Sequence, residues 1–205
     1  MPPDLLIERI VFKGNNETLY DESKIAQGKM SEALVEAFTQ KGYEIKTLDL
    51  EKLSAEDPPL KREFAKLKQR YESLINDKVP VGMGKAPGLG QDEQTVGTEV
   101  NRIADLTGAD ALVFSYARGF VKSKGEKTAD FVKALLISAG TLGGATYVAP
   151  SSGGQIHISV IDTDNGELLW DNINIFQDQI NFTGDSGFKR DVKSIVGPFP
   201  KRKKA

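Results

Sequence analysis

The chain has a single histidine, His157, and no cysteine. A metal site built from several imidazoles, a thiolate zinc site and a thiol nucleophile are therefore excluded, and any serine triad would have to use this one ring. In the run QIHISVID, His157 alternates with Ile156 and Ile158 and shares a side with Ser159 and Ile161. That is the place of an outward or partly buried strand residue. No G-x-S-x-G elbow occurs anywhere in the chain, and His157 is read as non-catalytic.

The glycines between Val79 and Gln94 invite a phosphate-binding reading, because glycine lets backbone N–H groups approach a pyrophosphate. The spacing fails: after Gly82 and Gly84 the third glycine would fall on Pro87. Neither Gly28-Lys29 nor Gly84-Lys85 has the upstream glycine and the following Ser or Thr of a P-loop. Asp162, Asp164, Gly166 and Glu167 resemble a calcium loop in outline, but that loop needs glycine at its sixth position, and the sixth residue here is Glu167. Nothing singles out a catalytic pair among the 29 acidic residues, so a carboxylate-based hydrolase stays an alternative without assigned residues. No catalytic, cofactor-binding or metal-ligating residue is assigned.

The formal charge of −2 and a pI near 5.6 give no field that would draw the molecule onto nucleic acid or an anionic membrane. The exception is local, at Lys201, Arg202, Lys203 and Lys204, which read as a solvated tail. Phe64, Tyr71, Phe114, Tyr116, Trp170 and Phe176 lie on expected core stripes and strands, not interleaved with Lys and Arg on one face. Core packing is expected of them, not base stacking. No stretch reaches the ~18 uncharged apolar residues of a membrane span, and Met1-Pro2-Pro3-Asp4 is not the start of a signal peptide. The chain reads as soluble, and also suits the mature part of an exported protein.

The elements that would position these residues follow from periodicity. Leu5 to Phe12 is β-rich and runs into Gly14-Asn15-Asn16, a turn signal. From Asp21 to Lys41, Met30, Leu34 and Phe38 recur every four residues, with Ile25, Val35 and Ala37 widening the stripe, and Gly42 stands where a helix ends. Tyr43 to Leu50 is expected as a second strand, giving a βαβ start. Asp57 is the expected cap of a helix through Leu60, Phe64, Leu67, Tyr71 and Leu74. A flexible loop is expected at 79–94, then a third helix through Val96, Val100, Ile103 and Leu106, ended by Gly108. Asp110 to Tyr116 suits a strand near the sheet centre. Gln155 to Asp162 and Glu167 to Phe176 form a hairpin across Asn165-Gly166, since both residues tolerate the positive φ of a tight turn. A weaker helix is expected at Phe188 to Ile195.

Three blocks, Lys41-Gly42-Tyr43-Glu44-Ile45, Leu106 to Phe114 and Ile158 to Trp170, give a resemblance to the periplasmic lipoprotein domains related to the TolB N-terminal domain, the curli secretion lipoprotein and the penicillin-binding-protein activator lipoproteins. It spans most of residues 5 to 180. The resemblance implies an α/β (α+β) fold: a small mixed β-sheet with a C-terminal antiparallel hairpin and helices packed on it. It also implies a periplasmic, envelope-attached protein acting through protein contacts without catalysis, and a packed Trp170. The membrane would be reached only through a lipid anchor, and the chain has no lipobox cysteine.

The expectation is thus one domain over 1–205, with the loop at 79–94 and a basic tail at 197–205, not an enzyme and without a cofactor. Its partner would be another protein or a second copy, not nucleic acid. Phe131, Leu135, Leu136, Ile137 and Leu142 are the candidate interface, because a helix apolar on several sides exceeds one core-facing stripe. A cytoplasmic nucleotide or nucleic-acid binder is the remaining alternative.

Overall fold

The computed structural model describes residues 2–11, 14–49, 52–53, 55, 57–76, 95–125, 127, 151–177 and 185–202. Their order is β1 (Asp4–Ile10), β2 (Glu17–Thr18), α1 (Tyr20–Thr39), α2 (Pro58–Asn76), α3 (Glu99–Thr107), β3 (Ala111–Lys122), β4 (Ser152–Asp162), β5 (Leu168–Gln177) and α4 (Asp185–Val196). The five strands form one mixed sheet in the order β2-β1-β3-β4-β5, an α/β fold with a C-terminal hairpin. β1 is parallel to β3 and antiparallel to β2. β3 and β4 are joined at both ends, by Thr163 N–H to the Asp110 carbonyl (3.2 Å) and Lys122 N–H to the Ser151 carbonyl (2.9 Å). Those two bonds require the strands to run antiparallel.

No strand follows α1: residues 43–49 carry no regular structure. Ile45, Leu48 and Leu50 are spaced by three and then two, so they cannot share one strand face. The parallel partner of β1 is β3 instead, reached only after α1, α2 and α3.

The chain divides into two compact units, through both of which β3, β4 and β5 run. One holds Met1–Pro2, Glu44–Ser115 and His157–Ile173; the other holds Pro3–Tyr43, Tyr116–Ile156 and Asn174–Ala205. In the second, α1 packs on β1 and on α4. Ala26, Met30, Ala33, Leu34, Ala37 and Phe38 are all buried, and this spacing of threes and fours makes one stripe whose alanines admit close approach. Ile25, expected in that stripe, is 52% exposed. On α4 the stripe is Phe188, Val192, Ile195 and Val196. Beside it, Lys193 bonds Glu36 at 2.6 Å and Lys189 bonds Glu32 at 3.1 Å. The Glu36 carboxyl lies below the usual glutamate range, chiefly through the Lys193 hydrogen bond.

The basic segment after α4 is held as far as Arg202. Lys41 donates to the Gly197 and Phe199 carbonyls, Arg202 N–H returns to the Lys41 carbonyl, and the Phe199 ring lies 5.2 Å from Phe38 and 5.4 Å from Tyr43. Gly42, at φ +91°, lets Tyr43 N–H turn back to the Phe38 carbonyl.

In the first unit α2 packs on α3, through Leu60, Leu67, Tyr71, Val100 and Ile103, all buried; Leu106, assigned to that stripe from sequence, is exposed. Asp57 does not spend its carboxylate on capping α2. It takes two N–H groups of Arg102, at 2.6 and 3.1 Å, while Glu63 takes a third at 2.9 Å.

Candidate functional site

The polar residues that sequence reasoning weighed come together on β4 and its neighbours in the first unit. β4 is buried without interruption from Ile156 to Ile161, as a strand covered on both faces must be. His157 is therefore interior at 5% exposure, not an outward or half-buried residue. Its Nε2 lies 3.3 Å from an Asp171 carboxylate oxygen on β5, and the Tyr71 ring of α2 stacks on the imidazole with centroids 6.2 Å apart. Tyr71 also packs on Phe114 at 4.7 Å, and its hydroxyl meets the Ser159 hydroxyl at 3.0 Å.

An Asp–His pair beside a serine contains the residue types of an acyl-transfer site, but their arrangement is different. A triad needs the serine on the imidazole nitrogen opposite the aspartate. Here the opposite nitrogen, Nδ1, has no hydrogen-bond partner, and Ser159 is engaged by Tyr71. A general base must also come within about 3 Å of the proton it removes, and Ser159, His157 and Tyr71 are all buried. Among the described residues this cluster ties β4 to β5 and α2. An orphaned buried nitrogen costs roughly 1–3 kcal/mol.

The hairpin forms, but not as a two-residue Asn-Gly turn. Gly166 N–H bonds the Asp162 carbonyl at 3.1 Å and Asp162 N–H bonds the Glu167 carbonyl at 2.9 Å, so the loop is Thr163 to Gly166, four residues. The acidic side chains close this turn. Asp162 Oδ1 accepts Asp164 N–H at 2.7 Å, and Asn165 Oδ1 accepts Glu167 N–H at 2.8 Å. Among the described residues no group of three potential metal ligands exists.

The first turn of α3 and the segment before it grip the loop: Val96 N–H to the Gly166 carbonyl (2.9 Å), Thr95 Oγ1 to the Asn165 carbonyl (3.1 Å) and Asn101 Nδ2 to the Asp164 carbonyl (3.0 Å). Gly166 has φ +73°, and a Cβ there would run into the Gly97 backbone. The competing principle was tertiary: a two-residue turn would leave this docking segment without its partners.

Of the aromatic residues expected in the core, Tyr71 and Phe114 are buried, while Phe64, Tyr116, Trp170 and Phe176 are half-buried. Trp170, expected to be packed, is neither exposed nor fully enclosed. The loop at 79–94 and the candidate interface residues Phe131, Leu135, Leu136, Ile137 and Leu142 lie outside the described residues.

Sequence reasoning missed Leu169 and Ile175, exposed at 54% and 55% on β5, the last of the described strands in the sheet order. The signal was present: β5 is apolar at both odd and even positions, more than one covered face accounts for. Among the described residues no helix is long and apolar enough to cross a membrane. Comparisons with protein-family models, curated proteins and solved structures find no match to this chain.

Proposed function

We propose that this chain is a non-enzymatic domain of the cell envelope that works through protein contacts, as its resemblance to the periplasmic lipoprotein domains implies. The observation that carries the reading is the exposure of the large apolar side chains Leu169 and Ile175 on β5. Apolar side chains held in water are the kind of surface that a protein partner covers. The polar groups support it from the other side, since His157, Ser159 and Tyr71 are enclosed and bonded to one another's elements.

The three blocks behind the resemblance also have a common structural use. Gly42 ends α1, Gly108 at φ +63° closes α3 just before β3, and Gly166 shapes the hairpin into β5. On this reading they specify the scaffold, and the surface outside them specifies the partner.

The test is fractionation of the natural gene product, expressed with whatever precedes it in its own reading frame. It is expected in the envelope fraction, and calorimetry with ATP, NAD or Ca²⁺ is expected to give no binding heat. Recovery in the cytosol would overturn the reading. So would ester, phosphate or glycoside hydrolysis abolished by changing Asp171 or another acidic residue.

A further inference from the structure

We propose that Asn165 is a self-modifying site: its side-chain amide closes on the Gly166 nitrogen, loses ammonia and opens to aspartate and isoaspartate, at a rate set by the segment docked on the loop. The chemistry is independent of what the chain binds. Asn165 is the one asparagine of the chain that is followed by glycine, and it is exposed. Glycine has no Cβ, so nothing shields its nitrogen from the neighbouring side chain. A side chain at 166 is excluded, because φ is +73° and a Cβ would run into the Gly97 carbonyl. The docking that requires this glycine is thus what creates the reactive pair.

The step balances within the two residues and water. The Gly166 nitrogen bonds to Asn165 Cγ and gives up its proton to the side-chain nitrogen, which leaves as ammonia, and the product is a cyclic imide. Water then adds to one of the two imide carbonyls. Opening at the side-chain carbonyl leaves aspartate. Opening at the main-chain carbonyl leaves isoaspartate, which carries an extra methylene in the backbone.

Hydrogen bonds of the turn act on both reacting groups. Glu167 N–H donates to Asn165 Oδ1 at 2.8 Å, which polarises the carbonyl under attack where its oxygen gains negative charge. The nucleophile is restrained instead, because Gly166 N–H is donated to the Asp162 carbonyl at 3.1 Å. Attack waits for that bond to open, a local unfolding of the loop. Thr95 Oγ1 on the Asn165 carbonyl, Val96 N–H on the Gly166 carbonyl and Asn101 Nδ2 on the Asp164 carbonyl oppose the opening. Conversion in turn weakens the docking. It adds a carboxylate to a loop that already carries Asp162, Asp164 and Glu167, and isoaspartate displaces the carbonyl that Thr95 holds.

The test incubates the full chain in mildly alkaline buffer and follows every asparagine by peptide mapping and mass spectrometry. Asn165 is expected to convert first, giving separate aspartate and isoaspartate peptides, and Asn165→Gln is expected to remove both. Conversion should be faster in urea than in the folded protein, since the Gly166 N–H is then free. Thr95→Ala combined with Asn101→Ala, checked for folding by circular dichroism, should speed conversion at least ~3-fold, the factor for losing one net hydrogen bond. Should that variant not fold, the urea comparison decides. Asn165 intact while another asparagine converts, conversion in the folded protein as fast as in urea, or an unchanged rate in the folded double variant overturns the proposal.

Discussion

Among the described residues, β1 and β5 differ in what covers them. At the β1 side, α1 closes the edge with its own groups. Ser23 Oγ accepts Ile7 N–H at 2.9 Å, Leu19 N–H bonds the Ile7 carbonyl at 2.9 Å, and Gln27 Nε2 bonds the Leu5 carbonyl at 3.1 Å. The two-residue β2 covers the rest, with Arg9 and Glu17 paired at 2.7 Å across it. These are the devices by which an edge is withdrawn from strand addition: a covering helix, a short edge strand and charge. On β5, a ten-residue strand, Leu169 and Ile175 hold large apolar side chains at 54% and 55% exposure. The difference is one of side-chain cover: α1 bonds the backbone of β1 and shields its residues, whereas two apolar side chains of β5 meet water.

The strongest way to break the contrast is to detach the cover of β1. Met30 is fully buried on α1, and Met30→Ala should cost about 2–5 kcal/mol, measured by denaturant unfolding. A loss well below 1 kcal/mol would mean that α1 is not the structural lid of that edge.

Ser23→Ala is smaller and more specific. It leaves the Ile7 N–H, now bonded to Ser23, buried without an acceptor, at a cost of about 1–3 kcal/mol. Faster amide exchange at Ile7 should accompany it. On β5, Leu169→Ser should change stability by no more than about 0.5 kcal/mol, as surface substitutions do, so a large loss would show that Leu169 serves the core.

The smallest effect is a pH dependence at the α1–α4 seam. The Glu36 carboxyl is depressed by Lys193, so its contribution is present above the ordinary carboxylate range of about pH 4 and is lost as pH falls through the lowered value. Asp191 has the opposite sign. Burial raises its carboxyl, and its contribution is present at acid pH and lost as pH rises through the raised value. Because Asp191 titrates in both proteins, the difference between the unmodified chain and Lys193→Met isolates the Glu36 pair: the variant should lose less stability between pH 6 and pH 3. Equal acid limbs would show that the pair is only a solvent-screened contact.

What could be read in advance was local. The α1 stripe, the glycine that ends it, the apolar run of β3 and the two hairpin strands each follow from a repeat within about ten residues. What could not be read was set by neighbours distant in sequence. Thr95 and Asn101 decide that the hairpin loop has four residues, and the direct pairing of β1 with β3 leaves residues 43–49 without a place in the sheet. His157 was legible as a strand residue, but its burial depends on Tyr71, 86 positions earlier in the chain. Strand order cannot be seen in a sequence pattern, and neither can the packing that leaves Leu169 and Ile175 exposed.

The most direct test of the contrast is amide hydrogen exchange on the unmodified protein and on Ser23→Ala. The account predicts that the Ile7 amide, bonded to Ser23 within its own chain, is protected in the unmodified protein and exchanges faster in the variant, while the amides of β5 exchange alike in both. Equal exchange at Ile7 in the two proteins would contradict the account.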